Sequence, residues 1–339
     1  MNADFDPSAL KAFLDRQFGA SDDFSLSRAT GGQSNPTYFV RHRGQRMVLR
    51  KQPAGAILPG AHAIDREFRV LEALHPTGVP VARPILFHAD PALIGTPFYL
   101  MEHVEGRVFT DCSLPGLDPG ERHALWMSMA ETLAQMHAVQ PPAVGLADYG
   151  RPGNYFERQM ARWTKQLRAS PGEPIPELER VADWLAARPP PDDGAVSLAH
   201  GDFRMGNMIF HPTEPRVVAI LDWELSTLGH PLADLGFSVM PWHTAPEEYG
   251  GILGLDRQAL GLPSEREFVA HYMALSPGTS RLLPFHKVFA LFRFAVIFVG
   301  IADRARQGNA AAANASEVAP LARRFAMRAL ELIEADGGR

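Results

Sequence analysis

The chain has 339 residues, 46% apolar content and a formal net charge of -5. A chain of this length can bury a large core and predicts two domains or two lobes. Its mildly acidic balance lacks the basic surface that bulk nucleic-acid or anionic-membrane binding requires, so neither partner is expected. Cys112 is the only cysteine, which excludes an internal disulfide and predicts a reducing, cytoplasmic location.

The N-terminal part of the chain predicts a small β-rich region. Apolar residues at helical spacing predict helices at Asp6 to Phe18 and Ala63 to His75. Turns are predicted at Gly31-Gly32 and Arg43-Gly44. The runs with strand character are Leu26 to Ala29, Thr37 to His42, Gln45 to Lys51, Arg83 to His88 and Pro97 to Val104.

Most of the remaining chain predicts helices, and residues 196–223 between them predict a compact β region. The helical segments are Ala124 to Val139, Tyr155 to Leu167, Glu177 to Ala187, Glu265 to Ala274, Leu283 to Ala305 and Val318 to Ile333. His286, Lys287 and Arg293 interrupt the most apolar of these, which favours a buried helix over a membrane span. The composition changes near Glu105, so we predict an α+β chain with domains at 1–104 and 105–339.

Three polar residues in the β region form a pattern suited to phosphoryl transfer. The segment HGDFRMGN contains Asp202 and Asn207, and Asp222 ends the apolar run RVVAIL. Phosphoryl transfer needs a carboxylate to take or orient the hydroxyl proton, and oxygen ligands for Mg²⁺. A single aspartate at a strand end is usually a turn or cap residue. The joint spacing is more restrictive, because it follows the protein-kinase layout H-R-D-x-x-x-x-N and then D-F-G.

HGDFRMGN together with ILDWELSTLGHPLADLGF resembles the aminoglycoside phosphotransferase and choline kinase superfamily. The resemblance is greatest to the branch found fused to acyl-CoA dehydrogenase domains. Its motifs run from Thr30 to Phe237, and the last third of the chain matches only in being helical. It implies a protein-kinase-like two-lobed fold, with a small nucleotide-binding N-lobe and a larger, mainly helical C-lobe that is catalytic and binds substrate.

The same resemblance implies ATP and Mg²⁺ as cofactors and assigns residue roles. Asp202 matches the catalytic base, and Asn207 and Asp222 match the metal ligands. His200 matches the structural histidine that opens the catalytic loop. Asp234 matches an acid that braces this loop, although a charge at a helix N-terminus explains it equally well.

A glycine-containing segment, TGGQSN, lies between two predicted strands upstream of this loop. Gly31 and Gly32 would let backbone N–H groups approach phosphates closely. Ser34 and Asn35 would add side-chain donors. A glycine pair in a hairpin is more often only a turn, but its place before a kinase-like catalytic loop favours nucleotide binding.

The strand MVLRK occupies the position of the kinase V-A-I-K strand, whose lysine contacts the phosphates. Side chains alternate along a strand, so Met47 and Leu49 share one face with Lys51, and Arg50 faces the other side. The apolar pair predicts a core-facing side, which leaves Arg50 for the nucleotide unless a bulge substitutes Lys51. Arginine keeps the charge and can bind phosphate bidentately.

Glu67 falls on the inward stripe of its predicted helix, and a buried carboxylate needs a partner. Arg50 is the natural partner, and a surface pair with Arg66 or Arg69 is the alternative. The predicted catalytic set is therefore Asp202, Arg50 and Glu67. In the family, the backbone of the linker between the lobes binds adenine, and Met101, Glu102, His103 and Val104 match that linker.

The acceptor is less well defined. The fused relatives imply a hydroxyacyl-CoA or a hydroxy acid, and a functional link to an acyl-CoA dehydrogenase. Cationic residues lie on or beside one long helix, whereas a polycationic aminoglycoside would need an acidic pocket: they are Arg281, Lys287, Arg293, Arg304 and Arg306. Arg293 is predicted to be buried with an anionic partner, either Asp234 or a substrate carboxylate or phosphate.

Two other functions compete with a phosphotransferase. One is a catalytically weak, kinase-like module that binds a nucleotide or a partner, and the other is a scaffold for an acyl-CoA dehydrogenase. The joint presence of Asp202, Asn207 and Asp222 favours the enzyme. Arg50 in place of lysine is the feature that favours a binding module.

Overall fold

A computed structural model describes residues 3–29, 35–53, 63–151, 153–306 and 315–337, with side chains from residue 320 onward in the last range. The chain forms two compact units. The first comprises Met1–Arg107 and Val218–Glu224, and the second comprises Val108–Val217 and Leu225–Arg339. The sequence predicts the boundary between the two domains after Val104. Residues 218–224, which include Asp222, belong with the N-terminal unit.

The first unit is built on an antiparallel sheet of order β1-β2-β3-β5-β4. Its strands are β1 (Phe24–Arg28), β2 (Thr37–His42), β3 (Gln45–Lys51), β4 (Pro84–His88) and β5 (Phe98–Glu102). Arg43 and Gly44 join β2 to β3 with φ values of 51° and 71°. Positive φ at both turn residues suits the right-handed twist of a two-residue hairpin, so the predicted turn is confirmed.

Two helices accompany this sheet. They are α1 (Pro7–Phe18) and α2 (Ile64–Leu74). Asp6 caps α1 by accepting the Ser8 N–H at 2.8 Å, and Pro7 suits the first helical position. The buried face of α1 packs with β2, β3 and β5 in a single apolar cluster. The predicted helices and strands of this unit agree with the structure to within about two residues at each end.

The second unit is mainly helical. Its helices are α3 (Pro119–Ala138), α4 (Tyr155–Arg168), α5 (Pro176–Ala187), α6 (Pro231–Ser238), α7 (Arg257–Leu260), α8 (Glu265–Leu275), α9 (Pro284–Arg306) and α10 (Ala315–Gly337). By length and composition α9 could cross a membrane, but 78% of its apolar stretch is buried in the structure. It packs against α4, α5, α6 and α10 as a core helix.

Short strands support the polar segments between these helices. They are β6 (Ser197–Ala199), β7 (Met208–Phe210), β8 (Val217–Ile220) and β9 (Thr227–Gly229). β6 pairs antiparallel with β9, and β8 runs from the second unit into the first. The sequence predicts β6, β7 and β8 but neither β9 nor α6 as elements. Both are short, and the three-residue β9 is defined by its partner strand more than by its own pattern.

Candidate active site

Glu67 is the centre of a buried polar cluster in the first unit. The residue is 2% exposed, and its carboxylate accepts hydrogen bonds from Asn35 Nδ2 at 2.7 Å and the Tyr99 hydroxyl at 3.0 Å. Arg50 Nε forms an ion pair with Glu67 Oε2 at 2.7 Å without hydrogen-bond geometry, and Arg50 Nη2 donates to Oε1 at 3.5 Å. Burial raises the pKa of the Glu67 carboxyl. All three neighbours present donors, however, and an acceptor-only carboxylate matches them.

Arg50 and Lys51 point to opposite faces of β3. Lys51 is 1% exposed, and its Nζ lies 2.9 Å from Asp4 Oδ2 on the side of the apolar core. Arg50 reaches Glu67 on the other face. Burial opposes the charge of Arg50, but Glu67 and Asp222 raise its pKa above the ordinary value. The pairing of β3 with β5 is continuous through both positions, so a bulge does not exchange them.

Asp222 follows β8 in the first unit and contacts Arg50. Its Oδ1 lies 2.8 Å from Arg50 Nη2. Its φ of +66° is unusual for a residue other than glycine, and such backbone strain concentrates at functional sites. Ile220 N–H donates to the Pro80 carbonyl at 2.8 Å, which fixes the strand just before Asp222. Asp222 is therefore presented on a rigid, strained support.

The other predicted nucleotide residues are only partly covered by the structure. Gly31, Gly32 and Ser34 lie outside the described residues. Asn35 is 2% exposed and its amide nitrogen donates to Glu67, so this donor is already used within the protein. The segment Met101, Glu102, His103 and Val104 lies at the end of β5. Its role in binding adenine stays a prediction.

Asp202 and Asn207 meet within one loop of the second unit. Asn207 Nδ2 lies 2.7 Å from Asp202 Oδ2 and 2.9 Å from the Asp202 carbonyl. Arg204 Nε lies 3.3 Å from the same Oδ2. Asp202 N–H donates to His200 Nδ1 at 3.1 Å, which closes the start of the loop. The side-chain contacts from Asn207 and Arg204 both use Oδ2 of Asp202.

Asp234 holds this loop through its backbone. Its carboxylate accepts the N–H groups of His200 at 2.6 Å and Gly201 at 2.8 Å. Behind it, His137 Nε2 lies 3.5 Å from Oδ2, and His137 Nδ1 lies 2.7 Å from the Tyr272 hydroxyl. Burial would raise the pKa of Asp234, but the hydrogen bonds from His137 and Gly201 bring it below the ordinary value.

The sequence left two roles open for Asp234, and the structure shows the position or the contacts expected for each. Asp234 lies in the first turn of α6, where a negative charge is favourable. From there its carboxylate also reaches His200 and Gly201, at the start of the loop that contains Asp202. Gly201 permits this approach, since its φ is +85° and an added Cβ would lie 2.8 Å from the Leu225 carbonyl oxygen.

The two predicted metal ligands have chemistry that suits Mg²⁺. Carboxylate and amide oxygens are the ligands that Mg²⁺ prefers. Asn207 turns its Nδ2 toward Asp202, so its oxygen points away from that residue. Asp222 presents a carboxylate at the end of its strand. Asn207 belongs to the second unit and Asp222 to the first.

Arg293 is buried as predicted, but of its two expected partners Asp234 is wrong, and an anionic group of the substrate stays a prediction. It is 4% exposed, and its guanidinium lies 5.3 Å from the Phe237 ring and 5.9 Å from the Trp163 ring. Within the described part of the chain its Nε and Nη2 have no hydrogen-bond partner, and it forms no ion pair with Asp234. The Asp234 carboxylate instead contacts the N–H groups of His200 and Gly201 and the His137 ring.

Several site residues were missed by the sequence reasoning. Tyr99 lies opposite Arg50 in the β3–β5 register, so its contact with Glu67 follows from strand pairing that a single sequence does not fix. Arg204 was visible in the motif HGDFRMGN, two residues after Asp202. Tyr272 contacts His137 from α8 across 135 positions of the chain, and it carries no local signal.

The fold and the site can now be compared with known proteins. The solved structure of a putative aminoglycoside phosphotransferase from Ralstonia eutropha superposes with a TM-score of 0.86 at 44% identity, covering 98% of this chain and 99% of that one. A spectinomycin phosphotransferase solved with ADP and spectinomycin has a TM-score of 0.65 at 14% identity, over 97% of this chain and 99% of that one. The second likeness shows the fold alone. This is the kinase-like fold of aminoglycoside phosphotransferases.

The model of the phosphotransferase enzyme family matches residues 25–270, and the chain belongs to this family. It is also 41% identical to "Acyl-CoA dehydrogenase family member 11" of Gallus gallus, over 97% of this chain and 43% of that protein. The human protein of the same name is 42% identical over 90% of this chain and 40% of its own length. The chain thus spans about two fifths of these relatives. Family and fold together support a small-molecule kinase.

Proposed function

We propose that the protein transfers the γ-phosphate of ATP, with Mg²⁺, to a hydroxyl of a small molecule, and that this acceptor is a hydroxyacyl-CoA or a hydroxy acid. The observation that carries the proposal is the catalytic loop. Asp202 is held through Oδ2 by Asn207 and Arg204, while Asp234 fixes the loop backbone from below. Such preorganisation of a carboxylate suits a base that must meet one hydroxyl.

In the proposed reaction Asp202 accepts the proton of the acceptor hydroxyl. The acceptor oxygen forms a bond to the transferred phosphorus while the bond to ADP breaks, and ADP leaves with the electron pair. Arg50, kept cationic by Glu67, would bind phosphate oxygens of the nucleotide. When bound, Mg²⁺ would neutralise charge on the phosphates, and Asn207 and Asp222 are the residues that would hold it.

The acceptor class is supported by the relatives. The curated relatives carry the name acyl-CoA dehydrogenase, and this chain covers only part of them. An acyl-CoA dehydrogenase acts on acyl-CoA thioesters, so a hydroxyacyl-CoA or its acid would link the two activities. We extend the proposal to a functional link with such a dehydrogenase, in the cytoplasm.

The test is phosphate transfer from ATP to a panel of hydroxy acids, their CoA thioesters and hydroxylated amines, with Asp202→Asn beside the natural protein. A positioned base contributes on the order of hundredfold or more, so the variant should lose transfer while it keeps Mg²⁺-ATP binding. Asp90→Asn changes an exposed aspartate in the same way and should behave like the natural protein. Near-normal transfer by Asp202→Asn would remove Asp202 as the base.

Two other results would replace the proposal. Binding of ATP by the natural protein without transfer to any acceptor would favour a kinase-like binding module. Faster transfer to kanamycin-like amines than to any hydroxy acid or hydroxyacyl-CoA would contradict the acceptor class.

A further inference from the structure

Arg204 places a cation directly beside the proposed base. Its Nε lies 3.3 Å from Asp202 Oδ2, and its side chain is 27% exposed. Any acceptor whose hydroxyl meets Asp202 must bring its neighbouring atoms close to this guanidinium. A group within a few bonds of the reacting hydroxyl would therefore lie in hydrogen-bonding range of Arg204.

Tyr249 forms a platform for this cation. The Arg204 guanidinium lies 5.2 Å from the centre of the Tyr249 ring, within the range of a cation–π contact. The ring in turn packs against Phe294 at 5.1 Å and Phe298 at 5.5 Å. Tyr249 has a φ of +71° although it is not glycine. Strain of this kind persists where the surroundings enforce it, often at ligand sites.

The loop is shaped to leave room for the guanidinium. A Cβ added at Gly206 would lie 2.5 Å from Arg204 Nη1, so a larger residue there would displace it. A Cβ at Gly250, next to Tyr249, would lie 2.8 Å from the Thr110 carbonyl oxygen, and its φ is also positive. The glycines on either side thus preserve the stacked pair of Arg204 and Tyr249.

A small cavity opens beside the pair, and its charge has one sign. Among the described residues that line it, Arg204 is the one charged residue, and the others are polar or apolar: Thr110, Cys112, Trp126, Met129, Met205, Gly206, Phe237, Ser238, Met240, Pro241, Thr244 and Tyr249. A second buried cation, Arg293, lies 5.3 Å from the Phe237 ring. Among its described residues the lining thus presents a guanidinium and no carboxylate, so the charge beside the pair suits an anionic group.

We propose that Arg204 is a specificity-determining residue that binds an anionic oxygen of the acceptor, with Tyr249 holding its guanidinium in place. This inference rests on the proposed function and narrows it to acceptors that carry a negative charge near the reacting hydroxyl, which favours the hydroxy acid over its CoA thioester. The planar, forked guanidinium suits a carboxylate or a phosphate.

The test uses pairs of acceptors that differ only in charge. A series of short hydroxy carboxylates is used, in which the single hydroxyl moves along the chain by one carbon at a time. Each carboxylate is compared with the corresponding amide. Binding to the full chain is measured by calorimetry, and phosphate transfer from ATP is measured separately. For the natural protein, the Kd of at least one carboxylate should be lower than the Kd of its amide by on the order of tenfold or more. A charge-assisted hydrogen bond provides a difference of this size.

Variants then locate the preference. Arg204→Gln should remove it by raising the KM and Kd of the carboxylate by on the order of tenfold relative to those of the amide, whereas any loss of kcat through Asp202 should be the same for both acceptors. Arg204→Lys should restore part of it. Tyr249→Phe should retain it, and Tyr249→Ala should weaken it, because the cation–π contact is made by the aromatic ring. Arg168→Gln, an exposed arginine paired with Glu179, is the matched control.

The outcomes are distinct. Absence of any carboxylate preference in the natural protein, or an unchanged preference in Arg204→Gln, would overturn the inference. So would an equal loss of kcat with carboxylate, amide and water as acceptors together with an unchanged ratio of their Kd values, since that result would assign Arg204 to holding Asp202 or the transferred phosphoryl group. Carboxylate-selective binding that depends on Arg204, without phosphate transfer, would keep this inference and reject the proposed function.

Discussion

Glu67 in the first unit and Asp234 in the second are both almost completely buried carboxylates, but they are satisfied in different ways. Glu67 accepts from side chains, of which Arg50 is a cation. Asp234 accepts from two backbone N–H groups and His137. Burial raises the pKa of Glu67, whereas the hydrogen bonds to Asp234 overcome burial and lower its pKa.

The difference shows two ways to prepare a site. The Glu67 cluster orients one cation, Arg50. Loss of Glu67 should therefore change what Arg50 binds. The Asp234 cluster fixes the main chain around His200 and Gly201, so its loss should change the position of every group on that loop. A buried carboxylate can therefore serve either a single side chain or a segment of backbone.

Breaking the backbone cluster should have the largest effect. Asp234→Asn places an amide NH₂ where a carboxylate oxygen faced a backbone N–H, so one donor is left without an acceptor. We expect unfolding free energy to fall by about 3 kcal/mol, as for an unsatisfied buried group next to charge, and transfer to fall strongly. Urea unfolding and kcat measure this, with the exposed-site variant Asp192→Asn as control. Unchanged stability and kcat would show that the loop does not need Asp234.

Removing the carboxylate of Asp222, which follows β8, should have the second-largest effect. Asp222→Ala should weaken Mg²⁺-dependent ATP binding on the order of hundredfold, as large as the losses seen for supporting groups of metal sites. Titration of ATP binding against Mg²⁺ measures the loss. The same Mg²⁺ dependence in the variant and the natural protein would remove Asp222 from the metal site.

The ion pair at the centre of the first cluster can be tested by a double-mutant cycle. Arg50→Ala leaves the buried Glu67 without its cation, Glu67→Ala leaves Arg50 with Asp222 but without Glu67, and the double variant removes both charges. The double variant should be less damaged than the sum of the singles by about 2 kcal/mol, the coupling expected for residues in one network. Stability and the KM for ATP are the measurements. Additive effects would contradict a coupled pair.

The smallest effect concerns the pH dependence of the unfolding free energy, and it tests a buried histidine of the second unit. His286 packs against α6 and is 2% exposed; burial, and then the neighbouring His230, lower its pKa to about 3. Because the folded pKa lies below the unfolded value, His286 contributes stability above the unfolded pKa, near 6.5, and this is lost as pH falls toward 3.

Between pH 6 and 4 the unfolding free energy should therefore decrease by about 1 kcal/mol per pH unit through this group. His230, itself paired with Asp193 at 3.0 Å and lowered in pKa by burial, acts in the same direction. His286→Gln should flatten the dependence, whereas His75→Gln at an exposed site should not. Equal slopes in all three proteins would show that His286 does not carry it.

Local sequence determined much of this protein. Apolar periodicity located the strands of the first sheet and most helices, because the 2.0 and 3.6 residue periods are properties of each segment alone. Alternation along β3 also separated Arg50 from Lys51, since opposite faces follow from the pleat. The motif HGDFRMGN contains both Asp202 and Asn207, so their contact needed only one loop.

Contacts distant in sequence were decided by tertiary structure. Asp234 reaches His200 and Gly201 across more than thirty positions of the chain, which the family resemblance anticipated but no local period encodes. Arg293 was correctly expected to be buried, yet packing gave it aromatic faces instead of a carboxylate. Tyr249 reaches Arg204 through an αL backbone that a sequence pattern does not favour for tyrosine. A segment's own period fixes which of its faces is apolar, whereas the packing of several segments decides what each buried polar group meets.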